Sequence, residues 1–158
     1  MYRLMSAVVA LTIGVTALST YAAAGETHVV QMLNKHPTEK RRRNVFIPEV
    51  VRIKPGDKVV FKSVDRGHNS ISIKGMIPEG AEPWKSKLSR DFEVTLTVPG
   101  VYGYMCLPHY ALGMVGVIVV EGDGVAESLA KAKTKKQRGK ARKIFEDLLA
   151  KIEVANPS

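Results

Sequence analysis

Residues 101–120, Val-Tyr-Gly-Tyr-Met-Cys-Leu-Pro-His-Tyr-Ala-Leu-Gly-Met-Val-Gly-Val-Ile-Val-Val, decide the fold. Both ends are rich in β-branched and aromatic residues, as strands are, and the centre carries Pro108 and Gly113, as a connecting loop does. Cys106 therefore closes one predicted strand (101–105) and Met114 precedes the next (115–121). Working outward, similar short runs recur at 28–33, 50–53, 58–64, 69–73 and 92–98. Pro55-Gly56-Asp57 and Pro99-Gly100 punctuate them as turns, and 77–86 reads as a loop. About seven strands at this spacing specify an all-β sandwich or barrel and not a βαβ architecture. No internal repeat is visible. After Gly122-Asp123-Gly124 the period changes to that of helices. Asp123 is placed to N-cap the first helix, over Ala126, Leu129, Ala130 and Ala132. A second helical pattern aligns Ala141, Ile144, Phe145, Leu148, Leu149 and Ile152 on one apolar face. Such a face must be buried, so the helices are expected to pack on the sheet.

The chain has 158 residues, one Cys, four His and a formal net charge of +9. One domain's core is affordable at this length, and a single Cys forbids an intrachain disulfide. The N-terminus reads as a secretory leader: Arg3, then an apolar run, then Tyr21-Ala22-Ala23-Ala24 with an Ala-x-Ala cleavage site after Ala24. Residues 4–25 are uncharged and long enough to span a bilayer, but Thr12, Thr16, Ser19 and Thr20 dilute the run and favour a cleaved leader over an anchor. The expected organisation is a leader (1–24), a strand-rich domain (25–122) and a helical extension (123–158). An exported protein, periplasmic and without a membrane span after processing, has little occasion to meet nucleic acid, so the positive charge calls for another partner. Nine Lys or Arg against four acids lie in 125–158, where they form the solvated side of the helices or a docking face.

Cys106, His109 and Met114 form a C-x2-H-x4-M pattern within one interstrand loop. A thiolate, an imidazole and a thioether converging on one point suit copper, because thioether sulfur gives little to zinc or to hard cations. His68, in Asp65-Arg66-Gly67-His68-Asn69 after a predicted strand, supplies the second imidazole. Cys106 and Met114 as plain core side chains would not explain their clustering with His109. A Cys-His hydrolase lacks both an orienting third residue and the helix N-terminus that often activates such a thiol. A structural zinc site lacks a fourth good ligand.

These residues, with Met32-Leu33-Asn34-Lys35, Lys54-Pro55-Gly56-Asp57, Met76-Ile77-Pro78-Glu79-Gly80 and the basic helical tail, resemble the pseudoazurins of the cupredoxin family, the small blue copper proteins. The resemblance spans 26 to about 150 and implies a Greek-key β-sandwich with a two-helix C-terminal extension. It implies one type 1 copper ion held by His68, Cys106 and His109, with Met114 as a weak axial ligand. Asn34 and Asn69 would support the site from outside. His109 would be the electron port, set in an apolar patch that includes Pro108 and Leu112 and is ringed by Lys35, Arg66 and Lys85. The implied role is that of a monomeric periplasmic electron carrier, not an enzyme. Its implied partners are acidic redox proteins: copper nitrite reductase, a cytochrome c or a quinoprotein dehydrogenase.

The chain departs from the family pattern at Met105, where Lys is common, Leu107 for Thr, Leu112 for Met and Asn44 for Met. The run Lys40-Arg41-Arg42-Arg43 is an addition, either a docking patch or a solvated loop. A copper-delivery protein without redox turnover is the competing reading. A multicopper enzyme fails because only His28 and His36 remain.

Overall fold

The computed structural model describes residues 25–154, so the expected leader lies outside the described residues. Two four-stranded sheets face each other. One has the order β2-β1-β4-β6, made of β1 (Thr27–Lys35), β2 (Arg43–Ile47), β4 (Lys58–Lys62) and β6 (Phe92–Thr95). The other has the order β3-β8-β7-β5, made of β3 (Val50–Ile53), β8 (Val115–Val120), β7 (Gly100–Met105) and β5 (Ile71–Ser72). β1 runs parallel to β4 and β3 parallel to β8, while the remaining pairs are antiparallel.

Alternation explains how one sheet acquires two buried faces. Along β8 the even-numbered side chains Ile118 and Val120 enter the space between the sheets with Val30, Met32, Phe46, Phe61, Trp84 and Tyr104. The odd-numbered Val115, Val117 and Val119 join Val101 on the outer face, beneath α1 (Val125–Thr134) and α2 (Lys140–Val154). Leu129 and Ala132 of α1 and Ala141, Phe145, Leu148, Leu149 and Ile152 of α2 supply the cover. The apolar face read for the second helix is thus buried on the sheet, with Ile144 partly so, whereas in α1 only Leu129 and Ala132 are buried and the expected Ala126 and Ala130 are exposed.

Three local expectations need correction. A strand over Arg43–Ile47, paired with β1, was not expected. Asn44 there has a positive φ of 54°, and its neighbours Val45 and Phe46 are both buried, which destroys the two-residue alternation that marks a strand. The strand expected over 69–73 shrinks to Ile71–Ser72, because Ser70 gives its N–H to the Ser86 hydroxyl (2.8 Å) instead of to a ladder. Gly124, not Asp123, occupies the N-cap of α1, at φ 99° and with no side-chain cap bond.

Candidate metal centre

The strands deliver four segments to one end of the sandwich. β1 ends on Asn34 and Lys35, the segment after β4 carries His68 and Asn69, β7 runs into Cys106, and β8 begins just after Met114. Cys106, His68 and Met114 are fully buried, and His109 is partly exposed. The His68 and His109 Nδ1 atoms stand 3.2 Å apart, and the Cys106 sulfur lies 3.8 Å and 3.6 Å from them. One ion bound at ordinary metal–nitrogen and metal–sulfur lengths separates such donors by about 3.3–3.8 Å, whether the three bonds are trigonal or tetrahedral. The triangle fits a single soft metal ion. Met114 belongs to the same packed cluster as Cys106.

Hydrogen bonds set the loop's shape. The His109 N–H donates to the Cys106 carbonyl (3.2 Å), and the Leu112 and Met114 N–H groups both donate to the His109 carbonyl (3.1 Å each). The Cys106 N–H returns to the Met114 carbonyl (3.0 Å), closing the loop at its base. Gly113, at φ 96°, makes that return, and a side chain there would collide with Ile144 of α2. Asn69 ties the His68 segment to this loop through its Oδ1, which accepts from the Leu107 N–H at 2.9 Å. Asn34 acts on the other side: its Oδ1 lies 2.9 Å from His68 Nε2, and its own N–H donates to Asp65 at 2.6 Å. A proton on Nε2 satisfies Asn34 and leaves Nδ1, the atom facing Cys106, as a bare lone pair.

The electrostatics keep the donors neutral until a cation arrives. Burial lowers the His68 pKa, as does the neighbouring His109, and burial lowers that of His109. Burial also raises the Cys106 thiol, partly countered by the backbone N–H groups of Asn69 and His109, which favour the thiolate. Those amide donors to sulfur carry no side-chain signature and were not individually legible in the sequence.

Around the centre, Leu107 and Leu112 are 50% and 53% exposed and flank His109 together with the exposed Pro108. Lys35, Arg66 and Lys85 are all exposed. Lys35 sits opposite Arg43 in the β1–β2 pair, and Lys85 lies across from Ile71. The basic run divides. Arg41, Arg42 and Arg43 all line a recess of about 230 Å³ with Leu112 and Lys140, but the Arg42 charge is consumed by ion pairs with Glu49 and Glu39. A second cluster, Glu26, His28 and Asp57, lies at the opposite end of β1. Its Asp57 carboxylate is already occupied by the Glu26 and Lys54 N–H groups and by His28.

A buried cysteine at a strand end, facing two imidazoles beside a thioether in a two-sheet sandwich, defines the blue copper class of electron-transfer domain. The chain belongs to the copper binding proteins of the plastocyanin/azurin family, whose description matches residues 30–121, and within it to the pseudoazurins. It is 42% identical over 144 residues to the pseudoazurin of Paracoccus pantotrophus, covering 90% of this chain and 96% of that protein. It is 38% identical over 146 residues to that of Methylorubrum extorquens, covering 92% and 95%. The solved pseudoazurin of Sinorhizobium meliloti superposes with a TM-score of 0.75 at 44% identity, over 83% of this chain and 99% of that one. Proteins of this family carry electrons on one copper ion and are not enzymes. No helix among the described residues is long and apolar enough to cross a membrane.

Proposed function

We propose that His68, Cys106 and His109, together with Met114, would hold the copper ion. The carrying observation is the donor triangle of 3.2, 3.6 and 3.8 Å around one point. Copper supplies a one-electron Cu(I)/Cu(II) couple when bound. The chain's own part is to keep the donors where they are. Asn34 sets the His68 tautomer, Asn69 joins the two ligand segments, and full burial of Cys106 and His68 holds water off the thiolate. That burial favours retention of the metal over delivery, since a delivery site has to expose its ligands for exchange.

His109 is the electron port, because it alone of the three donors reaches the surface. Pro108, Leu107 and Leu112 form an apolar rim around it, and Lys35, Arg66, Lys85, Arg41 and Arg43 surround that rim with positive charge. The partners are acidic redox proteins, with copper nitrite reductase, a cytochrome c and a quinoprotein dehydrogenase as the classes to try. Complementary charge raises the encounter rate, and a small interface keeps the complex short-lived. Residues 1–24 act as a leader to the periplasm, 25–122 as the copper domain and 123–158 as its helical extension, in a monomer.

Loading purified protein with Cu(II) tests this reading. An intense visible thiolate-to-copper charge-transfer band is expected, and Cys106→Ser abolishes it. A colourless adduct of the parent protein would end the assignment.

A further inference from the structure

The end of the connector between the two C-terminal helices and the first residue of α2, together residues 137–140 and called the connector below, touch the metal loop at each position. Tyr110 donates its hydroxyl hydrogen to the Gln137 side-chain carbonyl. The same Gln137 is anchored from behind, where its Nε2 donates to the Met76 sulfur (2.8 Å) and to the Lys135 carbonyl (3.2 Å). The Arg138 guanidinium stands 5.2 Å over the Tyr110 ring, within the range of a cation–π contact. The Lys140 N–H, first of α2 and without a partner inside the helix, donates to the Ala111 carbonyl at 2.9 Å. Gly139 permits that approach: its φ is +58°, and any side chain there would run into the Ala111 carbonyl oxygen. Beyond it, Ile144 fills the space over Gly113.

Internal bonds close the loop's base between Cys106 and Met114 and cross the bend at 110–113 from the Gly113 N–H to the Tyr110 carbonyl (2.9 Å), but the Tyr110 hydroxyl and the Ala111 carbonyl of that bend point outward to partners beyond the loop. The connector supplies it. We infer that residues 137–140 are a positioning element for the copper loop, fixing the bend at 110–113 and through it the placement of His109 relative to Met114. The extension would then tune the metal's environment as well as cover the sheet. This inference rests on the ligand reading above only for its spectroscopic consequence. The restraint on the bend stands in the metal-free chain.

Four variants separate positioning from general stability. Gly139→Ala displaces the Ala111 carbonyl, Gln137→Leu removes the Tyr110 acceptor, and Gln137→Glu restores an acceptor oxygen. Ile152→Ala, at the far end of α2 and 1% exposed, weakens helix packing without touching the loop. In metal-free protein, Gly139→Ala and Gln137→Leu should speed amide exchange at Leu112, Gly113 and Met114 about tenfold relative to the parent, while Gln137→Glu, which keeps the acceptor but loses the donor to Met76 and Lys135, falls between Gln137→Leu and the parent. In copper-loaded protein the first two should move the charge-transfer band and the reduction potential. Ile152→Ala should lower the melting temperature and leave band and potential in place. Parent-like exchange and spectra in both Gly139→Ala and Gln137→Leu would overturn the inference, as would equal spectral change in Ile152→Ala. If Gly139→Ala fails to fold, Gln137→Leu and its Glu counterpart decide alone. A colourless parent would refute the ligand set, and the exchange data would still judge the connector.

Discussion

Replacing Asn34 with leucine leaves His68 holding a buried N–H with nothing to receive it. His68 is fully buried and its Nε2 sits 2.9 Å from Asn34 Oδ1. An orphaned buried donor costs about 1–3 kcal/mol. By a separate route, losing the partner that orients a metal-binding histidine lowers metal affinity about 10–100-fold, which is about 1.4–2.8 kcal/mol. The first figure is a cost to folding and the second a cost to metal binding, and both arise from the loss of this one bond. The strand end should survive, since the bond from the Asn34 backbone to Asp65 is independent of the side chain. Asn34→Ala should lose less than Asn34→Leu, because Asn34 is exposed and water can reach the vacated acceptor position. Asn34→Asp restores an acceptor and adds negative charge, so it should bind Cu(II) more tightly than the leucine variant and lower the reduction potential. Competition against a chromophoric chelator, run on the three variants and the parent, measures these affinities. Leucine-variant affinity within twofold of the parent would refute the claim that Asn34 orients His68.

Other expectations follow from separate parts of the molecule. The Tyr104 hydroxyl is buried without a hydrogen-bond partner among the described residues, so Tyr104→Phe, which keeps the ring contacts to Phe46 and Phe61, should raise unfolding free energy by about 1 kcal/mol in a denaturant titration; a loss of similar size would mean the hydroxyl is satisfied. Arg41→Glu with Arg43→Glu should slow electron transfer to an acidic partner about tenfold at low salt and converge on the parent rate at high salt, where surface charge is screened; stopped-flow rates that match at every salt concentration would make the basic recess incidental. The Asp57 carboxyl is held below its usual range first by the Lys54 N–H, then by His28 and the Glu26 N–H. A lowered folded-state pKa stabilises above the unfolded value and is lost as pH falls through the folded one. Asp57→Asn should therefore flatten the acid limb of the stability–pH curve below about pH 4, and an unchanged limb would count against the carboxyl.

Local chemistry decided which features could be read from the chain alone. The metal loop was legible because its donors, its proline and its returning glycine lie within nine residues between two strongly β-branched runs. The apolar face of α2 was legible because its spacing is regular, whereas alanines alone did not mark the buried side of α1, where Ala126 and Ala130 are exposed. β2 was hidden where Asn44 breaks the alternation and the preceding basic residues resemble a solvated loop. The fate of the basic run was hidden too, because Arg42 finds Glu49 only after β2 turns, and that turn brings Arg41, Arg42 and Arg43 to a recess beside Leu112 and Gly113. His68 was a reasonable second imidazole from its loop position, but its bond to Asn34 spans 34 residues and leaves no local trace. The connector at 137–140 is likewise invisible: its contacts with 110–113 exist only because both helices are seated on the outer face of the sheet.

That seating also shapes how the molecule ages. Val101, Val115, Val117 and Val119 form one continuous apolar surface that only α1 and α2 separate from water. A chain clipped in the segment before α1 would not persist as a weaker carrier. It would expose a β-branched sheet face of the kind that associates with its own kind. Damage to the extension is thus expected to lower the solubility of the molecule and not only to weaken its fold.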